Sequence, residues 1–314
     1  MEYKEIVDWL MSGDVSIRYQ TRRDILGESE KSLSSLRESI ANEGFGRRFM
    51  QLQNADGHWD RDFYQSKWTS THYTLLDLRN LCITPQPSIL SILDTLLDYY
   101  IAPDGGMGSS RKAKVSDVCI NGMFLNYASY FGAPESKMHS IVDFLCSMQM
   151  KDGGFNCRFN VGTAVHSSLH TTLSVLEGMT EYIKNSYAYR AVDFRNMIPQ
   201  AVEFILMHRL YKSDHTGDII SRAFLTPVNP PRWKYDILRA LDYLQYAGVP
   251  YDPRMRDALD VISVKRKKDG RWNNYSNYPG KVHFDMEQTG CLGRWNTLRA
   301  LRVLKYYDWD ELDG

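Results

Sequence analysis

Three side chains in this sequence are of the types that hold a catalytic zinc ion. Asp117 and Cys119 stand two residues apart, and His170 lies further along the chain. A carboxylate, a thiolate and an imidazole make a three-ligand zinc site with one position left open. Residues at i and i+2 do not share a helix face. The site therefore requires Asp117 just outside a helix and Cys119 in its first turn. There the thiol sees the positive end of the helix dipole, which favours the thiolate a metal needs. Each residue also has a plainer role. Asp117 suits an N-cap, Cys119 a small buried side chain, and His170 a satisfied buried histidine. Arg111 and Lys114, just upstream, suit a solvated loop.

The elements that must position these residues are written by a degenerate repeat. Asp56-Gly57-His58-Trp59, Asp104-Gly105-Gly106-Met107, Asp152-Gly153-Gly154-Phe155 and Asp269-Gly270-Arg271-Trp272 share an Asp-Gly pair followed closely by an apolar or aromatic residue. Gly57, Gly105 and Gly153 are spaced by 48 residues each time, and Asp214-His215-Thr216-Gly217 is a weaker copy. Asp-Gly is a turn signal, because Gly accepts positive φ and Asp caps its own backbone. Repeats are also the usual way for a chain of 314 residues to exceed the common domain size without a linker.

An amphipathic helix precedes each turn. Such helices are expected over 3–10, 35–51, 88–100, 136–149, 196–208 and 254–266, with apolar residues at i, i+3, i+4 and i+7. A second, more apolar class starts near Arg18, Thr71, Ser116, Leu169, Trp233 and Arg294. Helices apolar nearly all round are buried on both sides. The expected fold is therefore all-α: an α/α toroid of roughly six helical hairpins in two concentric rings, one domain over 1–314. The inner-helix starts would face the central cavity, lined by Tyr19, His72, Tyr73, Trp233, Tyr235 and Trp295, with His166 a further candidate beside His170.

Charge is balanced at 38 basic and 38 acidic residues, so nothing global points to nucleic acid or a membrane surface. The run Lys265 to Lys268 ends an amphipathic helix, where cations suit the dipole. No basic leader with an apolar core opens the sequence, and no apolar stretch is long enough to span a bilayer. Five scattered cysteines make no disulfide framework, which is the pattern of a reduced, cytoplasmic protein.

The Gln-x-x-Asp-Gly-x-aromatic turns resemble those of protein prenyltransferase β subunits and squalene-type cyclases, from about Gln53 to the C-terminus. Gly105-Gly106 followed by Arg111, Lys114, Asp117 and Cys119 resembles the prenyltransferase run Arg-x-x-Lys-x-x-Asp-x-Cys, and His170 stands where that family has a zinc histidine. The resemblance implies that Asp117, Cys119 and His170 hold zinc while Arg111 and Lys114 face an isoprenoid diphosphate. Zinc would then bind an acceptor thiolate, and the two cations would stabilise the leaving diphosphate. Aromatic pocket walls would steady an allylic cation. The chain departs from the family at Ile120, where a Tyr is usual, and it lacks the Asp-x-Asp-Asp acid of the cyclases. A partner subunit is also part of the family pattern. Two other readings fit the same fold: a toroid that binds an isoprenoid, another apolar ligand or a protein without turnover, and a carbohydrate-active enzyme. The last needs paired carboxylates with sugar-stacking aromatics. Asp60, Asp62, Asp236, Asp285 and Glu287 are available, none marked by spacing.

Overall fold

The structure is a computed structural model that describes residues 3–275 and 278–309. These residues form thirteen α-helices and no β-strand, only three isolated bridges. Six helices form an inner set: α2 (Val15–Gln20), α5 (Thr71–Asn80), α7 (Val118–Phe131), α9 (Leu169–Lys184), α11 (Ile237–Tyr246) and α13 (Arg294–Tyr306). Nearly every residue of α5, α7 and α11 is buried, as an inner position demands. The outer set is α1 (Tyr3–Met11), α3 (Glu30–Ser39), α4 (Gly44–Met50), α6 (Pro87–Tyr99), α8 (Glu135–Ser147), α10 (Ala191–Met207) and α12 (Arg256–Val264). Along the inner ring each helix from α5 to α13 packs on the next, and α13 packs on α2. The α/α toroid expected from the repeat is the fold of the chain.

The Asp-Gly turns are built alike. Gly57, Gly105, Gly153 and Gly270 all take φ between 75° and 88°. The residue two positions after each glycine is fully buried: Trp59, Met107, Phe155 and Trp272. Its backbone N–H donates to a side-chain oxygen near the start of the following inner helix, namely Thr71, Asn121, Thr172 and Thr297. Each turn thus fixes the rotation of the inner helix that follows it. Gln53 and Gln149 close two of the turns by donating to the carbonyls of Gly57 and Gly153, and Arg266 does so at Gly270.

Three boundaries differ from the sequence reading. The helix expected over 35–51 is two helices, broken at Gly44 with φ 56°. The break is pinned by Phe45 N–H, which donates to Asp14 Oδ2 at 2.8 Å. Helix α11 starts at Ile237 and not at Trp233, because the Asp236 carboxylate accepts from Arg239 N at 2.9 Å and caps it there. Helix α10 begins at Ala191, earlier than periodicity suggests, and carries Pro199 inside it. No helix among the described residues is long and apolar enough to cross a membrane.

Candidate functional site

The zinc-type residues stand where the repeat puts them, at the inner-helix starts, but their side chains do not converge. Asp117 is the residue before α7, and its carboxylate makes no capping bond to the first turn. Burial of its surroundings raises that carboxyl above its ordinary value, against the opposing pull of Arg158 and Lys67. Cys119 stands beside Cys157, the Cα atoms 5.6 Å apart, a separation at which two cysteines can be joined. The loop after Gly153 brings them together: Cys157 N–H donates to Thr171 Oγ1 at 3.2 Å, which lays Cys157 across the first turn of α7.

His170 Nδ1 accepts the backbone N–H of Tyr235 at 2.7 Å, and its ring packs against Phe224, Trp233 and Tyr235. Burial pushes this histidine down to about 4, helped by Arg239 and Lys234. Among the described residues no three His, Cys, Asp or Glu side chains gather as a metal-binding group. Arg111 lies outside, over the rings of Tyr99 and Tyr100, and Lys114 is exposed. His166 is exposed as well.

The other expected pocket residues divide. His72 is wholly buried, hydrogen-bonded at Nδ1 to Tyr127 Oη at 3.1 Å, and burial pushes it down to about 3. Tyr73 is buried against Tyr64, and Tyr235 donates its hydroxyl to Leu210 O at 2.6 Å. These are packing positions. Trp295, with Tyr19, does line the cavity.

That cavity, of about 720 Å³, lies mainly at the opposite ends of the inner helices. Its wall comes from Tyr19 to Asp24, Leu76 to Cys82, Asn126 and Tyr130, Glu177, the stretch from Arg239 to Tyr246, and α13. A π-helical turn over Thr21–Ile25 continues α2 and carries Arg23 and Asp24 to the wall. Such turns recur at functional sites. The expectation that the inner-helix starts face the cavity is therefore corrected. At that end the segments around Asn229–Arg232 and Tyr278–Glu287 fill the ring. Arg232 Nη2 meets Asp77 Oδ2 at 2.8 Å, Trp68 Nε1 donates to Pro279 O at 2.7 Å, and His283 Nε2 meets Thr74 Oγ1 at 2.9 Å.

The cavity is ionic. Seven basic and five acidic side chains line it. Asp242 accepts from both Arg299 and Arg302, and Arg302 reaches Asp24 at 3.0 Å. Burial opposes ionisation of Asp24 and Asp242, yet these guanidiniums hold both carboxyls below their ordinary value. Arg79 pairs with Glu181, and Arg239 holds Glu177 with two bonds. Burial pushes Asp77 the other way, up, against Arg232. Arg37 has no carboxylate partner among the described residues; it donates to Tyr130 Oη at 2.9 Å. Six lining residues keep a buried polar atom with no partner among the described residues: Asp77 Oδ1, Arg79 Nε, Asn126 Oδ1, Asn229 Nδ2, Trp295 Nε1 and Arg299 Nη2.

Sequence reasoning passed over this set, although a signal existed. Asp77, Glu177, Arg239, Asp242, Arg299 and Arg302 are ionisable residues inside the inner helices, most of whose positions are buried. Charge in such a helix has to meet charge or a ligand.

No family model matches the chain, and no curated protein matches it in sequence. Among solved structures, a polysaccharide lyase is similar over 96% of this chain and 96% of its own, with a TM-score of 0.52 and 12% identity. A type II terpene cyclase from Scytonema, solved with merosterolic acid A, covers 88% of this chain and 97% of its own, with a TM-score of 0.33 and 13% identity. The first of these shares the α/α-toroid fold.

Proposed function

We propose that this toroid is a carbohydrate-active protein that takes an acidic oligosaccharide into the cavity. The orphaned polar atoms of the wall carry the reading. Asp77, Asn126, Asn229, Trp295 and Arg299 each keep a buried donor or acceptor with no described partner. A group of this kind costs about 1–3 kcal/mol when left unmet. An isoprenoid tail would meet none of them. A sugar brings both donors and acceptors.

The basic excess of the wall, with Arg37 free of any described carboxylate, suits a ligand carrying carboxylate or sulfate groups. Tyr130, Tyr246 and Trp295 bring aromatic rings to the wall. Among the cavity carboxyls, Asp24 and Asp242 are held below their ordinary value by neighbouring arginines, whereas burial raises Asp77 against its pairing with Arg232. The fold shared with a polysaccharide lyase is compatible with this reading.

Zinc-dependent prenyl transfer needs Asp117, Cys119 and His170 to face one point and Arg111 and Lys114 to face the same space. Cys119 faces Cys157, and His170 Nδ1 accepts Tyr235 N–H. Among the described residues these side chains do not gather around one point.

Calorimetric titration with oligogalacturonate, a neutral cello-oligosaccharide and farnesyl diphosphate tests the reading. Tightest binding is expected for the acidic sugar, weakened about tenfold or more by Asn126→Ala. Turnover would then be read as unsaturated uronate or as new reducing ends. Saturable binding of farnesyl diphosphate, with none of either sugar, would overturn the proposal.

A further inference from the structure

We infer that the cavity takes the end of an oligosaccharide chain and not its middle. The inference rests on the saccharide reading above. Asn229, Pro230 and Met286 line the large cavity on one face and a smaller pocket on the other. These three residues form the partition that closes the ring at the inner-helix starts.

The partition is held in place by buried ties. The Arg232 and Asp77 side chains are 5% and 1% exposed and meet at 2.8 Å. The same guanidinium lies over the rings of Trp68, Tyr73 and Tyr278. Arg232 N–H donates to Tyr278 Oη at 3.2 Å, and Asn296 Nδ2 donates to Pro227 O at 3.2 Å. The segments before Arg232 and after Tyr278 are therefore anchored to α5 and α13, not laid loosely over the opening.

The partition bars passage through the ring at the inner-helix starts. A chain that enters along the ring axis therefore reaches the partition only with its terminal unit. The wall chemistry agrees. A terminal sugar keeps a free hydroxyl that an internal unit has spent in its glycosidic bond. Asn229 belongs to the partition, and Asp77 is tied to it through Arg232. Both carry an orphaned polar atom, one donor and one acceptor, matching a hydroxyl that both accepts and donates.

The test uses the full chain and oligogalacturonates of increasing length, each in three forms: free, blocked at one end as a methyl glycoside, and blocked at the opposite end as a methyl ether. Affinity should rise over the first units and then level off. Blocking one end should weaken binding about tenfold or more, while blocking the other should leave it unchanged. Met286→Ala, which thins the partition, should relieve part of the penalty for the blocked end. Equal affinity for all three forms, or affinity that keeps rising with length, would overturn the chain-end inference and leave the saccharide reading standing. Absence of binding by every sugar would overturn both.

Discussion

Asp77 and Arg232 show how closely residue chemistry and stability are joined here. Breaking a buried pair from one side leaves a charge with no partner, at a cost of roughly 3–5 kcal/mol. Asp77→Ala is expected to lose that much in denaturant unfolding, whereas Asp77→Asn, which keeps shape and polarity, should lose less. Glu287 sets a pH limb. Burial pushes it up to about 7 from 4.5, against the N–H groups of Trp295 and Arg294. The folded state therefore binds more protons than the unfolded one between those values, and stability falls as pH rises through the window. His72 works oppositely: held near 3, it withdraws stability as pH drops below its ordinary 6.5. The two windows overlap between 4.5 and 6.5 and offset one another there, so in Glu287→Gln, which removes the first, thermal stability should rise more steeply with pH through that range than in the parent. The same pH profile in Glu287→Gln as in the parent would refute its assignment. At this scale the sequence drew attention to the ends of the inner helices opposite the proposed cavity. Asp117, Cys119 and His170 drew notice because their types match a known chemistry, while the cavity residues carry no such spacing. Their ion pairs join different helices, as Arg79 joins Glu181 and Arg302 joins Asp242, and pairings across helices are invisible in one strand of text.

At the scale of elements the repeat was legible because turn chemistry is local. Positive φ at the Asp-Gly glycines and burial of the residue two positions on both follow from a few neighbours. The tie from that residue's N–H to the next inner helix was not foreseen, since its acceptor lies 12 to 25 residues away. Asn121→Ala removes the acceptor for Met107 N–H at 2.6 Å, and a loss of about 1–3 kcal/mol is expected in chemical denaturation. A second element-level constraint is the contact of α7 with α9. A Cβ at Gly178 would lie 2.3 Å from Gly122 O, so the two backbones approach as closely as glycine allows. Gly178→Ala should cost about 1–3 kcal/mol or more through forced separation of the helices. A stability equal to that of the parent would show that the contact yields freely.

Across the whole molecule the ring closes where the last inner helix meets the first. Arg302 on α13 bridges Asp242 of α11 and Asp24 of the turn after α2, Lys305 donates to Ile25 O at 2.7 Å, and Arg294 reaches Trp9 O at 3.2 Å. In the intact protein Asp24 and Asp242 are held down, so their contribution is present above the ordinary carboxylate range and lost in acid. Arg302→Ala leaves Asp242 with Arg299 alone and Asp24 with Arg23 alone. The loss, about 1.5–3 kcal/mol near neutrality for the charged hydrogen bonds removed, should shrink in acid as the carboxylates take up protons; a loss independent of pH would refute this account of the closure. The toroid itself was legible in the sequence, from two helix classes and an evenly spaced turn. Its closure was not, because the bridging residues lie more than 270 positions apart.

The turn ties have an architectural outcome of their own. Each links a hairpin only to the helix that follows it, so nothing in the repeated joint states how many hairpins there should be. A ring of five or seven could be assembled with the same joint. The number is counted once, where Arg302 must reach back to Asp24. Duplication or loss of a hairpin is therefore a question put to that single closure, not to the turns.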